Sequence, residues 1–395
     1  MRKLSLLICI LISLPAFTQS YQKLHRKAIF IDTHNDILTQ NAEKGVVFDT
    51  DLKGKTHSDL DRWNKGGLDA QLFSVWCDGD KKDPYSYANR QLDTLDAVIR
   101  RNPGKIVKAS DSRDLIKIIR QHKIAAMAGV EGGHMIENDI NKLDSFYQRG
   151  VRYMTLTWNN STDWATSAFE ETFKKDLTKK GLSDFGKQVV ERMNTLGMIV
   201  DISHVGENTF DDVIRITSKP IIASHSSVYT LCPHQRNLKD DQIRAIAKNG
   251  GVIQINFYSG FLDSNFLNNK SAFLAKHKSE WDSIIKSGKP EYIADEFIVE
   301  KYPDEAEALR APFSLLIQHI DYIIKLVGIN YVGIGSDFDG IEAPPKQLDD
   351  VTAYPLVTKA LMEKGYKKRD IRKILGGNFM RVLRANEKKQ YRSGL

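Results

Sequence analysis

An apolar, β-branched run followed by a helical pattern recurs eight times along this sequence. The runs are Ala28–Asp32, Leu68–Trp76, Ile124–Val130, Val151–Thr157, Met198–Ile202, Pro220–Ala223, Gly251–Phe257 and Tyr331–Gly335. Continuous apolar runs suit strands covered on both faces, as in a parallel sheet whose crossover helices lie on either side. Helix signals fall between them: Ser183 precedes an amphipathic stretch through Leu196 that stops at Gly197, and Asp240–Lys248 ends at Asn249-Gly250. Eight such units predict an α/β fold, a TIM-like (β/α)8 barrel forming a single domain over residues 19–395. The polar stretch from Ser259 to about Leu309 reads as an insertion after the seventh strand. A doubly wound open sheet is the competing layout, but no Gly-x-Gly-x-x-Gly turn supports one.

The chain is 41% hydrophobic and 27% charged, a balance that excludes disorder. Its net charge of +7 raises the question of an acidic partner such as nucleic acid. The excess is confined to residues 364–395, with 11 Lys/Arg against 2 Asp/Glu, so a solvated basic C-terminal helix is expected instead and no nucleic acid. At the other end, Arg2 and Lys3, the apolar run Leu4–Leu14 and the small-residue site Ala16-Phe17-Thr18 read as a signal peptide over residues 1–18. The mature protein is expected in the periplasm or secreted, without a transmembrane anchor, since no later segment reaches spanning length. Cys9 goes with the leader. Cys77 and Cys232 remain and are expected to be unpaired.

In a barrel of this kind, chemistry gathers where strands end and loops begin. Reading those ends gives His34 and Asp36, Glu131, His204, His225 and Asp337. Imidazole nitrogen and carboxylate oxygen are ligand types that Zn²⁺ favours. In His34-Asn35-Asp36 the two candidates are two apart in extended backbone, so both can serve one face. Five ligands exceed what one tetrahedral catalytic zinc needs, which favours two metals sharing a carboxylate.

Quoted in order, the motifs are Ile31-Asp32-Thr33-His34-Asn35-Asp36, Gly129-Val130-Glu131-Gly132-Gly133-His134, Asp201-Ile202-Ser203-His204, Ala223-Ser224-His225-Ser226-Ser227, Arg236-Asn237 and Gly335-Ser336-Asp337-Phe338-Asp339-Gly340. Together they resemble the membrane (renal-type) dipeptidases, the M19 peptidases of the amidohydrolase superfamily. The likeness runs from about residue 28 to Gly377-Asn378-Phe379. It implies an exported, zinc-dependent metallopeptidase that hydrolyses dipeptides. His34, Asp36 and Glu131 would hold one Zn²⁺, and Glu131, His204 and His225 the second. A bridging water would lose a proton near neutral pH and attack the peptide carbonyl. Asp337, expected to be ionised beside this charge, would pass a proton to the departing amine. Arg236 would bind the free C-terminal carboxylate of the substrate through its planar fork.

One departure stands out. The family's well-known dipeptidases carry a His after strand four, in a Leu-Thr-His context, that contacts the tetrahedral intermediate. This chain has Leu156-Thr157-Trp158, and an indole cannot be protonated or accept a proton. Trp158 therefore counts as a substrate-facing residue whose effect on rate and range is open. A related amidohydrolase acting on a lactone, an N-acyl amino acid or a β-lactam is the second reading. A non-catalytic homologue that binds metal or peptide is the third. His134 is expected to play a supporting role, Asp201 and Asp339 match motifs without an assigned role, and His25, His57, His122 and His234 read as ordinary. The expected partner is a dipeptide or other small molecule, with homodimerisation left open.

Overall fold

A computed structural model describes residues 20–387 of the chain. The signal peptide expected over residues 1–18 and the last eight residues lie outside that range. Nine parallel-paired strands form one sheet: β1 (Ile31–Asn35), β2 (Ala70–Trp76), β3 (Ile106–Lys108), β4 (Ile124–Glu131), β5 (Val151–Thr155), β6 (Ile199–Asp201), β7 (Ile222–Ser226), β8 (Val252–Ile255) and β9 (Val332–Ile334). Eight of them follow the order β1-β2-β4-β5-β6-β7-β8-β9, with β3 off this path on β4. The seam between first and last strands is stitched at the rim, where Asp36 N donates to Phe338 O at 2.9 Å and Asp337 N to His34 O at 3.1 Å. The result is a nearly closed (β/α)8 barrel.

The expected helices form for the expected reasons. Ser183 Oγ accepts from Gly186 N at 3.3 Å to cap the helix Asp184–Leu196, which ends at Gly197 in the left-handed region. The helix Asp240–Asn249 likewise ends at Gly250. Several strand boundaries differ from the sequence reading by one to three residues, and at β1 and β7 the shift bears on the site. β1 and β7 begin two to three residues later and end three residues later than the apolar runs suggest, and β4 ends one residue later, so His34, His225 and Glu131 lie within strands rather than after them. The stretch from Ser259 to Leu309 folds into short helices, including Phe266–Lys276, Lys278–Lys286 and Glu291–Lys301. These build a small core of their own around Phe266, Phe273, Ile298 and Leu309. They are tied to the loop after β9 by Lys270, whose Nζ lies 2.8 Å from both Asp295 and Glu342.

The C-terminal helix corrects an expectation. Helix Asn378–Asn386 is not simply solvated: Phe379, Met380, Val382 and Leu383 are buried against Ile31, Ala70, Ala125, Ile199, Ile222 and Val252, the residues that open the barrel strands. It plugs the N-terminal mouth, each such side chain contributing about 1.5–3 kcal/mol by burial. Its Arg381 donates to the carbonyls of Gly250, Gly251 and Asn330. Of the basic residues of this tail, Arg381 and Arg384 lie on the stopper helix itself, and six others precede it between Lys364 and Lys373. With the floor sealed, the rim at the other end is free to carry chemistry. Cys77 and Cys232 are both free and buried.

Candidate metal centre

Inward-facing residues alternate along β4, from Ala125 and Met127 in the barrel core to Glu131 at the rim. Glu131 is the hub. Its Oε1 lies 2.9 Å from His204 Nε2 and 3.4 Å from His225 Nε2, while Oε2 lies 3.2 Å from His34 Nε2. Ser74 Oγ, on the neighbouring strand, donates to Oε2 at 3.0 Å. His34 Nε2 is also 3.4 Å from Asp36 and 3.7 Å from Asp337. All six candidates thus come together, and two groups could hold a metal ion, His34–Glu131–His225 and His34–Asp36–Asp337. The close packing needs glycine nearby: a Cβ on Gly340 would stand 2.4 Å from Asp36 Oδ2.

The donor set fits cations. Ser224 Oγ gives its proton to Asp201 at 2.5 Å, so His225 Nδ1, 2.8 Å away, must donate to that oxygen. His204 Nδ1 faces the acceptor Asn159 Oδ1 at 3.2 Å. Both rings therefore turn an Nε2 lone pair inward, and these two nitrogens stand 3.0 Å apart. Two lone pairs at that distance call for a positive charge between them and Glu131. His34 Nε2 is buried without a hydrogen bond. Burial alone would lower the pKa of His34, yet Glu131 and Asp36 are among the groups that hold it well above the ordinary value. Burial lifts Glu131, but the histidines outweigh it and keep the carboxylate well below its usual range. Asp337 goes the other way, pushed well up by burial and by Asp36 and Glu131 against His34; Asn256 Nδ2 donates to its Oδ2 at 2.7 Å.

Strain marks the rim. His204, Asp337 and Asp339 have φ of 68°, 63° and 69°, left-handed values costing roughly 1–3 kcal/mol each outside glycine. Buried aspartates hold these turns. Asp201 accepts from the backbone N–H of Ser203 and of Ser224 at 3.0 and 2.8 Å, tying the turn after β6 to β7. Asp32 accepts from Ser336 N and Oγ at 2.8 and 2.6 Å and from Tyr354 OH at 2.5 Å, clamping the seam that carries Asp337. Asp339 accepts from His57 N at 2.6 Å and from Asn35 Nδ2 at 3.2 Å. Sequence reasoning left Asp201 and Asp339 without a role and passed over Asp32; the one available signal is an Asp two or three residues before His34 and His204.

Around this hub lie the remaining candidates. Arg236 is 5% exposed, and among the described residues no carboxylate lies within ion-pair distance. Its Nη2 donates to His225 O at 3.3 Å, its guanidinium lies over Phe261 at 5.4 Å, and Nε has no partner. Burial draws it down to about 10, so it stays charged at neutral pH. His234, read as ordinary, accepts from Arg236 N at 3.2 Å. Trp158 is half-buried, its ring 6.3 Å from that of His204, 4.9 Å from Trp76 and 6.5 Å from Tyr292. His134 turns away from the hub, its Nε2 3.2 Å from Cys77 O.

Fold and rim together define a barrel hydrolase of the metal-dependent kind. The family described as Membrane dipeptidase (Peptidase family M19) matches residues 18–393, and the chain belongs to it. It is 33% identical over 393 residues to an uncharacterized dipeptidase of Schizosaccharomyces pombe, covering 93% of this chain and 83% of that protein. It is 30% identical over 390 residues to Dipeptidase 3 of Mus musculus, covering 96% and 69%. Among solved structures, the probable dipeptidase PvdM from Pseudomonas aeruginosa superposes with a TM-score of 0.78 at 27% identity, covering 94% of this chain and 98% of that one. A metallopeptidase from Rhodobacter sphaeroides, liganded with a phosphinate mimic of L-Ala-D-Ala, shares the fold with a TM-score of 0.73 at 22% identity, covering 91% and 100%. Among the described residues no helix is long and apolar enough to cross a membrane.

Proposed function

We propose that the chain is an exported binuclear zinc dipeptidase that hydrolyses short peptides with a free C-terminal carboxylate. The observation that carries this reading is the convergence of three imidazole Nε2 atoms on the two oxygens of Glu131, with Asp36 3.4 Å from His34 Nε2 on the same side. His34, Asp36 and Glu131 would hold one zinc, and Glu131, His204 and His225 the other. When bound, such a pair supplies a deprotonated water near neutral pH and polarises the scissile carbonyl. The chain's own residues do the rest. Arg236, buried and with no carboxylate within ion-pair distance among the described residues, receives the substrate's carboxylate through a bidentate fork. Asp337, steadied by Asn256, carries a proton to the leaving amine. Trp158 walls the substrate beside His204. Export rests on the leader at residues 1–18.

The test is a panel of dipeptides, N-acyl amino acids, lactones and a β-lactam, run on protein of measured metal content. Dipeptide turnover at about two zinc ions per chain is expected. His204→Ala should lose one ion and the activity together. One ion in fully active protein would remove the bridging role of Glu131, and turnover of only the other substrates would favour the wider amidohydrolase reading.

A further inference from the structure

Tyr153 lies outside every motif that pointed to the centre, yet it touches the centre from below. It sits on β5, fully buried, among the side chains that fill the barrel. Its hydroxyl donates to Thr33 O at 3.1 Å and stands 2.9 Å from His34 Nδ1. A phenol has one proton, and it is already committed to the carbonyl. The hydrogen bond to His34 must therefore run the other way, from Nδ1–H to the phenol oxygen. That fixes a proton on Nδ1 and leaves Nε2 as the atom presented to Glu131 and Asp36.

The sequence makes room for this contact. Gly129 of β4 pairs with Tyr153 in the sheet register, and a Cβ at position 129 would lie 1.9 Å from Tyr153 Cζ. Only a residue without a side chain lets the ring cross the barrel axis to reach β1. We propose that Tyr153, seated in the gap left by Gly129, is a positioning residue that fixes the tautomer and ring orientation with which His34 meets a divalent cation. The proposal rests on the metal reading above. Tyr153 touches neither substrate nor cation.

The experiment uses Tyr153→Phe, which keeps the ring and removes the hydroxyl. Zinc affinity, measured in competition with a chromophoric chelator, should fall about 10–100-fold for one of the two ions, as loss of such an outer partner typically does. Tyr366→Phe is the control: it removes a hydroxyl that donates to Asp321 at 2.7 Å, far from the rim, and should leave zinc affinity unchanged whatever it does to Tm. A third measurement needs no metal. In zinc-free wild type, the His34 Nδ1 proton should be visible by NMR and slow to exchange, and Tyr153→Phe should release it. Wild-type zinc affinity in Tyr153→Phe, or an unmoved Nδ1 proton, would overturn the proposal. A wild type that takes up no zinc would overturn the metal reading and this proposal with it. A wild type that binds two ions but cleaves no dipeptide would overturn only the substrate reading.

Discussion

Arg236 is the residue on which the proposed preference for a free carboxylate turns. A guanidinium at 5% exposure with an unpartnered Nε is costly to leave unmatched, and a planar carboxylate from the substrate would satisfy it. Arg236→Lys should lower kcat/KM on free dipeptides by about 10–100-fold, since charged hydrogen bonds are worth roughly 1.5–3 kcal/mol. Wild type should discriminate strongly against C-terminally amidated dipeptides, and the variant should discriminate less. Equal kcat/KM for amidated and free dipeptides in wild type would remove Arg236 from the substrate. The six hub residues were legible because each sits beside a strand end in a short motif. The aspartates at 32, 201 and 339, His57 and Tyr153 were not, because their partners lie on other strands or loops and only the closed barrel brings them together.

Elements were legible where the pattern was long and periodic. The capped helices end at the glycines that the sequence marks, whereas β3, three residues paired only with β4, gave no periodic signal. The insertion read as merely polar because its short helices bury few residues each. Yet its helix Glu291–Lys301 delivers Tyr292 to the two tryptophans at the rim, with Trp76 and Tyr292 rings 6.0 Å apart. The end of β2, the loop after β5 and the insertion thus share one aromatic wall beside His204. Replacing the indole by a titratable ring should matter there. Trp158→His is expected to raise kcat/KM on small L,L-dipeptides by about tenfold or more and to reorder the panel, given that one oxyanion donor is worth about 10²–10³ elsewhere. A kinetic profile indistinguishable from wild type on every substrate would mean that position 158 does not meet the substrate.

At the scale of the whole molecule, the eightfold repeat announced the barrel, but nothing local announced what closes it. Buried histidines far from the rim also set how the fold answers acid. His25 bonds Thr358 Oγ1 and Gly66 O at 2.7 and 2.8 Å, and His319 accepts from Val228 N at 3.0 Å while its other nitrogen donates to Leu262 O. Burial lowers both to about 4. The unfolded chain takes up these protons near pH 6.5, the folded chain only near 4, so their stability is complete above 6.5 and drains as pH falls toward 4. Each is worth on the order of 2–3 kcal/mol. Tm should fall steeply across that window, and His319→Gln should flatten the fall; a Tm constant from pH 7 to 4.5 would refute this. The stopper helix Asn378–Asn386 has a different bearing, on time rather than energy. Synthesis makes all nine strands before this floor, so a growing chain that has reached Gly377 has every strand but nothing to cover the apolar side chains at their N-terminal ends. Residence in that state is when such a chain is most exposed to aggregation. Closure of the barrel thus waits for residues 378–386, and a chain lacking them would be stranded at the step before closure.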